Sequence, residues 1–257
     1  MKEFFWDLKF NFGLLGRFFG EVQQATIVEE STTTPIEIRT VALPLLIVTV
    51  IAWSLVSYLL GSIDFAVLIS KKKYGDDVRN HGSGNAGTTN MLRVYGKKAA
   101  ALAFLGDMLK GIVAALGGLF LEGIACGYIA GFCCVLGHCF PIWYGGKGGK
   151  GVATSFGVIL VLEPIVGLLC LLIFVGIVLF TKYVSLGSVM AVIVYPLFLK
   201  GAFNVLYPEL RELEAAGISS SFAIPQLVSI ALMVLIVARH WQNIRRLYEG
   251  KENKISF

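Results

Sequence analysis

The chain has 257 residues, of which 56% are hydrophobic and 15% charged, with a formal net charge of +5 and a mean hydropathy of +0.75. Soluble domains carry about 45–50% apolar and about 25% charged residues, so too little polar surface remains here to cover a soluble globule. Intrinsic disorder, collagen, coiled coil and a disulfide scaffold are excluded by the same figures, and the chain reads as an all-α, polytopic integral membrane protein.

Residues 1–40 read as an N-terminal extension. Phe5, Leu8, Phe12, Leu15 and Phe19 recur at helical spacing while Lys2, Asp7, Lys9 and Arg17 fall elsewhere, the pattern of an amphipathic helix lying in the membrane interface. The acidic residues of this stretch and its lack of a clean apolar run speak against a signal peptide. A polar link, Glu29 to Thr34, leads to the membrane domain, residues 41–257.

A helical span needs about 20 apolar residues. The first is expected near 42–69, broken in character at Gly61-Ser62-Ile63-Asp64. A polar, glycine-rich stretch follows, His81-Gly82-Ser83-Gly84-Asn85-Ala86-Gly87-Thr88-Thr89-Asn90, with Arg93 close behind. Glycines permit close backbone approach and successive N–H groups aimed at one anion. Ser83, Thr89 and Asn90 add side-chain donors, and the Arg93 guanidinium matches phosphate. Spans two and three are expected near 98–121 and 123–143. Asp107 and Lys110, at (i, i+3) inside the second, are read as neutralising each other, and His138 as ending the third.

A second glycine-rich stretch, Gly145-Gly146-Lys147-Gly148-Gly149-Lys150-Gly151, opens into a fourth, short span at 151–162. The beginning of a helix favours phosphate through its free amides and macrodipole, and the two lysines make this one cationic. Glu163-Pro164 then punctuates the chain. Spans five to seven are expected near 165–180, 184–206 and 223–238, for seven in all. The last is capped by Arg239-His240-Trp241-Gln242-Asn243 with Arg245 and Arg246, which sets His240 and Asn243 on one helical face.

Fifteen of the 22 Lys and Arg residues fall on one side of this topology and six on the other, with Lys110 inside a span. The rich side is expected to be cytoplasmic, which places the C-terminus inside and the N-terminus outside. All three polar clusters then share the cytoplasmic face, and together they favour phosphorylated ligands. Both glycine loops satisfy G-x-G-x-x-G, but neither follows a strand, so a dinucleotide fold is excluded by context. Paired catalytic carboxylates and a G-x-S-x-G elbow are lacking. The five cysteines read as small buried apolar residues, and no fourth ligand stands near Cys134, His138 and Cys139, so neither a metal nor a cofactor is expected. A transporter for a small phosphorylated anion is the alternative from another class, although no internal repeat accompanies it.

The stretch from Gly61 through Gly111, with GSGNAGTTNMLRVYG and GDMLKG, resembles the first motif of the bacterial acyl-phosphate:glycerol-3-phosphate acyltransferase family. GHCFPIWYGGKGGKGVAT (137–154) is similar to its second motif and ARHWQNIRRLYEGKE (238–252) to its third, in the same order over about residues 42–254. The resemblance implies a multi-pass bacterial plasma-membrane enzyme that moves an acyl group from acyl phosphate to the sn-1 hydroxyl of glycerol 3-phosphate, giving lysophosphatidate and phosphate. The lipid bilayer is its implied setting, with no nucleic-acid partner and no particular oligomeric state. Carried over by motif, Ser83 and Arg93 match an essential pair, and the glycines and lysines from Gly146 to Gly151 match a glycerol-phosphate-binding loop. His240 and Asn243 match a catalytic pair, and Glu252 an acidic residue with a structural role. Asp64 departs from the family's usual proline. Taken with the residue chemistry, Ser83, Arg93, Lys150, His240 and Asn243 are the expected catalytic residues. Gly82, Gly84, Asn85, Gly87, Thr89, Asn90, Lys147, Gly148, Gly149 and Gly151 are expected to bind the substrate phosphates.

Overall fold

A computed structural model describes residues 21–29, 32–40, 43–206 and 222–255. The amphipathic helix expected over the first twenty residues lies outside these. Where a plain polar link was expected, two strands, β1 (Glu21–Glu29) and β2 (Thr32–Thr40), pair antiparallel with Glu21 opposite Thr40 and Glu29 opposite Thr32. Runs rich in Thr, Val and Ile on either side of a short connection are the local reason, and the mixed polarity of the stretch hid them.

The α-helices among the described residues are α1 (Leu43–Gly61), α2 (Phe65–Tyr74), α3 (Thr88–Glu122), α4 (Ile124–Cys139), α5 (Val152–Leu162), α6 (Pro164–Thr181), α7 (Val184–Leu206), α8 (Ala223–Arg239) and α9 (Trp241–Tyr248). Among the described residues, five segments are long and apolar enough to cross a membrane, the first combining α1 and α2. The α8–α9 pair, bent by 57°, makes a sixth, and α5 is a shorter apolar helix. With that short helix the described bundle has seven apolar helical segments, the number expected for this polytopic membrane protein. Lipid-facing surfaces are apolar, as on α1, where Val48, Ile51 and Leu55 are exposed, and on α6, where Leu168, Leu172 and Leu179 are. Tyr128, Leu162, Tyr195, Leu199 and Leu232 fill the core between α4, α5, α7 and α8.

Two breaks position the site. The first span ends at Gly61 and restarts at Phe65, where Asp64, standing in place of the resemblance's proline, accepts from the Val67 amide at 3.1 Å and caps α2. The second span begins ten residues earlier than expected. Helical structure starts at Thr88, but Gly96 (φ 82°, ψ −175°) breaks it, so that Thr88–Tyr95 forms a separate short helix carrying Arg93. Helices approach closely where side chains are small: a Cβ on Gly61 would strike the Cys134 carbonyl, one on Gly137 the Tyr58 carbonyl, and one on Gly157 the Met108 carbonyl.

Candidate active site

The first loop is built around Asn90. Its Oδ1 accepts from the Ser83 amide (2.9 Å), and its Nδ2 donates to the carbonyls of Val78 and His81 (both 3.0 Å). Both ends of this buried amide are therefore occupied in shaping the loop. Gly82 (φ 60°) and Gly84 (φ 70°) take left-handed conformations that let the chain turn around it.

Two arginines hold the second loop. Arg79, paired with Asp77 through Nε–Oδ1 (2.9 Å) and Nη2–Oδ2 (2.7 Å), donates from Nη1 to the carbonyls of Tyr144 (3.0 Å) and Lys147 (3.1 Å). From the other side, Arg239 at the end of α8 donates from Nη2 to the carbonyls of Gly148 (3.0 Å) and Gly149 (2.9 Å). The Gly149 amide donates to the His138 carbonyl at 3.1 Å. The middle of this loop thus spends its backbone groups on protein partners, and only its exit, Lys150 and Gly151, reaches the cavity.

A polar chain joins the second loop to the C-terminal segment. Lys150 Nζ donates to Asn243 Oδ1 at 2.5 Å, and Asn243 Nδ2 donates to Glu252 Oε1 at 2.7 Å. Glu252 also accepts from Ser185 (2.9 Å) and, through Oε2, from Arg246 Nε (2.8 Å). The Ile255 amide donates to the Lys182 carbonyl, which keeps this tail against the α6–α7 turn. His240 sits just beyond the end of α8, 3% exposed, with Nδ1 at 2.8 Å from the Ile236 carbonyl. A carbonyl only accepts, so Nδ1 carries the hydrogen and Nε2 keeps its lone pair.

Burial pushes the Lys150 ammonium down to about 8, partly offset by Glu252. Burial, then the Lys150 charge, pushes His240 down to about 4, so its imidazole is neutral. Burial raises the Glu252 carboxyl, but hydrogen bonds from Arg246, Asn243 and Ser185 outweigh it and hold the group below its ordinary value.

These parts face one cavity of about 980 Å³ including its open mouth. Of the residues expected from sequence, Ser83, Asn85, Gly87, Thr89, Asn90, Arg93, Lys150, Gly151, His240 and Asn243 line it. Gly82, Gly84, Lys147, Gly148 and Gly149 are not among its lining residues, and the Lys147 side chain is exposed. A second, apolar groove of about 680 Å³ including its open side runs on from it between α5, α6 and α7. It shares Phe104, Val152, Phe174 and Ser188 with the cavity and extends to Ile159, Cys170 and Tyr195.

The sequence model of the family described as "Glycerol-3-phosphate acyltransferase" matches residues 51–250. The chain belongs to that family. Glycerol-3-phosphate acyltransferases of Clostridioides difficile (strain 630) and Finegoldia magna are 40% and 41% identical to it over 208 and 201 residues. The matches cover 79% and 78% of this chain and 93% of each relative. Crystal structures of PlsY (YgiH), an integral membrane glycerol 3-phosphate acyltransferase, superpose with TM-scores of 0.69 for its glycerol 3-phosphate form and 0.67 for its lysophosphatidic acid form. Identity is 39% and 37%, covering 81% of this chain and 96% of that one. This chain is accordingly an integral membrane acyltransferase, and the transport reading is set aside.

Several residues of this cavity and its braces escaped sequence reading. Ser185 and Ser188, three apart at the start of α7, line the cavity, and their polarity within an apolar span was the available signal. Arg79 and Arg239 stood out only as basic residues, because nothing local tells a loop brace from a surface charge. His138, read as a helix end, is buried beside Asp107 and Lys110 and lines the cavity.

Proposed function

We propose that the protein transfers an acyl group from acyl phosphate to the sn-1 hydroxyl of glycerol 3-phosphate at the cytoplasmic rim of the bacterial cell membrane, giving lysophosphatidate and inorganic phosphate. The observation that carries this reading is the union of one cationic cavity with one apolar groove. Arg93, Lys150 and Arg246 line the cavity, enough cationic groups for two phosphoryl groups, and the groove's Phe, Val, Ile and Tyr walls suit an acyl chain. The excess of Lys and Arg on the side bearing the cavity supports its cytoplasmic placement.

In this reading, the first loop and Arg93 hold the acyl phosphate, with its chain in the groove. Lys150 and the start of α5 hold the phosphate of glycerol 3-phosphate. His240 Nε2 accepts a hydrogen bond from the attacking hydroxyl, and Asn243, locked by Lys150 and Glu252, fixes the geometry. The hydroxyl oxygen bonds to the acyl carbon, the bond from that carbon to the phosphate oxygen breaks, and the pair leaves with phosphate. The phosphate oxygen that departs gains negative charge as its bond to the acyl carbon breaks, so it takes the hydroxyl proton while His240 orients the hydroxyl. Phosphate is a good leaving group, so no covalent enzyme intermediate is needed.

The test is donor choice. Purified enzyme in detergent, given palmitoyl phosphate and glycerol 3-phosphate, is expected to release one phosphate per 1-acylglycerol 3-phosphate formed. Turnover with palmitoyl-CoA or acyl carrier protein but none with the acyl phosphate would overturn the donor assignment.

A further inference from the structure

Beneath the second loop, where α1, α3 and α4 meet, lies a buried polar cluster that the mechanism above does not use. Lys110 Nζ lies 2.8 Å from Asp107 Oδ1 and donates to the carbonyls of Gly61 (2.9 Å) and Ile63 (2.6 Å). His138 Nδ1 lies 2.9 Å from the same ammonium nitrogen and 3.4 Å from Asp107 Oδ1. The ring is fixed from inside the bundle.

The other end of the same residue meets the site. The His138 carbonyl accepts from the Gly149 amide at 3.1 Å, and Nε2 lies so close under Gly149 that a Cβ there would collide with it and with the Ala86 carbonyl of the first loop. His138 therefore stands between the charge cluster and the second loop, at the point where Gly149 also faces the first loop. Gly149 is followed directly by Lys150, whose ammonium meets Asn243.

We infer that His138 is a positioning residue for substrate binding: anchored by Asp107 and Lys110, it sets the height of Gly149 and so places Lys150 opposite the first loop. The inference rests on the assignment of Lys150 to the glycerol 3-phosphate. It also accounts for glycine at position 149, where the ring leaves no room for a side chain. A His138 that only filled space at the end of α4 would affect stability and both substrates alike.

Steady-state kinetics with each substrate varied separately tests this. His138→Ala is expected to raise KM for glycerol 3-phosphate about tenfold, the effect of losing most of one charge-assisted contact, with KM for acyl phosphate and kcat within about twofold. His138→Gln, which reaches the depth of Nε2 with a polar end, should restore most of the loss. If His138→Ala does not purify folded, His138→Gln and His138→Asn, which keep a polar side chain at the end of α4, decide the matter: the shorter Asn should show the glycerol-phosphate-selective rise in KM and the longer Gln should not. Equal rises in both KM values, or wild-type kinetics in His138→Ala, would overturn the inference. Wild-type inactivity with acyl phosphate would instead sink the donor assignment, and the same KM comparison would then be made with whichever donor is productive.

Discussion

In the proposed mechanism, Lys150 is the residue whose charge state governs binding of glycerol 3-phosphate. It is half-buried, its ammonium is destabilised by burial, and it titrates near 8 in the free enzyme. In the proposed assignment its cationic form holds phosphate, so kcat/KM for glycerol 3-phosphate should be level between about pH 6.5 and 7.5. Above about 8 it should fall tenfold per pH unit as the proton is lost. A profile flat to pH 10 would remove Lys150 from that role. The neighbouring lysine gives a sharp contrast. Lys147 is exposed and outside the cavity lining, so Lys147→Ala should leave kinetics within about twofold, whereas Lys150→Ala should cost about 10–100-fold in KM for glycerol 3-phosphate, the worth of a charge-assisted hydrogen bond. Glu252 touches no reacting atom, yet it holds Asn243, Ser185 and Arg246 together. Glu252→Ala should lower kcat on the order of 10²-fold, the scale of a misplaced catalytic group, with helical content by circular dichroism unchanged. At this scale the sequence displayed residue type but not partner. Lys147 and Lys150 sit in the same glycine-rich stretch and look equivalent there. What separates them is Arg79 and Arg239 drawing in the carbonyls of 144, 147, 148 and 149, contacts that span about 65 to 90 positions.

At the level of helices, close approach is what brings the segments together. α3 and α5 touch where Gly157 faces the Met108 carbonyl and Gly111 faces that of Thr154. Overpacking such a contact costs about 1–3 kcal/mol, so Gly157→Val should lower the thermal unfolding temperature in detergent and reduce activity by shifting α5, whose start lines the cavity, away from α3. The groove makes a different prediction. Ala191 lies on its wall, near Val192 and Tyr195, and Ala191→Trp should raise KM for a sixteen-carbon acyl phosphate while leaving a four-carbon donor unaffected. Spans were legible because apolar runs announce themselves, and α7 begins and ends at the expected residues, 184 and 206. The extended start of α3 was not legible, because Thr88–Tyr95 is polar and joins the span across a glycine with a positive φ. The β1–β2 pair was missed because its alternation is weak.

For the whole molecule, the described bundle contains every group assigned a role, and the family match begins at residue 51. We expect that removing residues 1–40 leaves kcat and both KM values of the detergent-solubilised enzyme within about twofold. Loss of activity in that truncation would make the extension part of the catalytic unit. The central claim is that three distant stretches of chain form one cavity that holds both phosphorylated substrates together, so that acyl transfer is direct. Initial rates measured over a grid of acyl phosphate and glycerol 3-phosphate concentrations test it most directly. A ternary complex predicts double-reciprocal lines that intersect. Parallel lines, with labelled acyl group trapped on the protein when glycerol 3-phosphate is withheld, would mean a covalent relay and contradict the account.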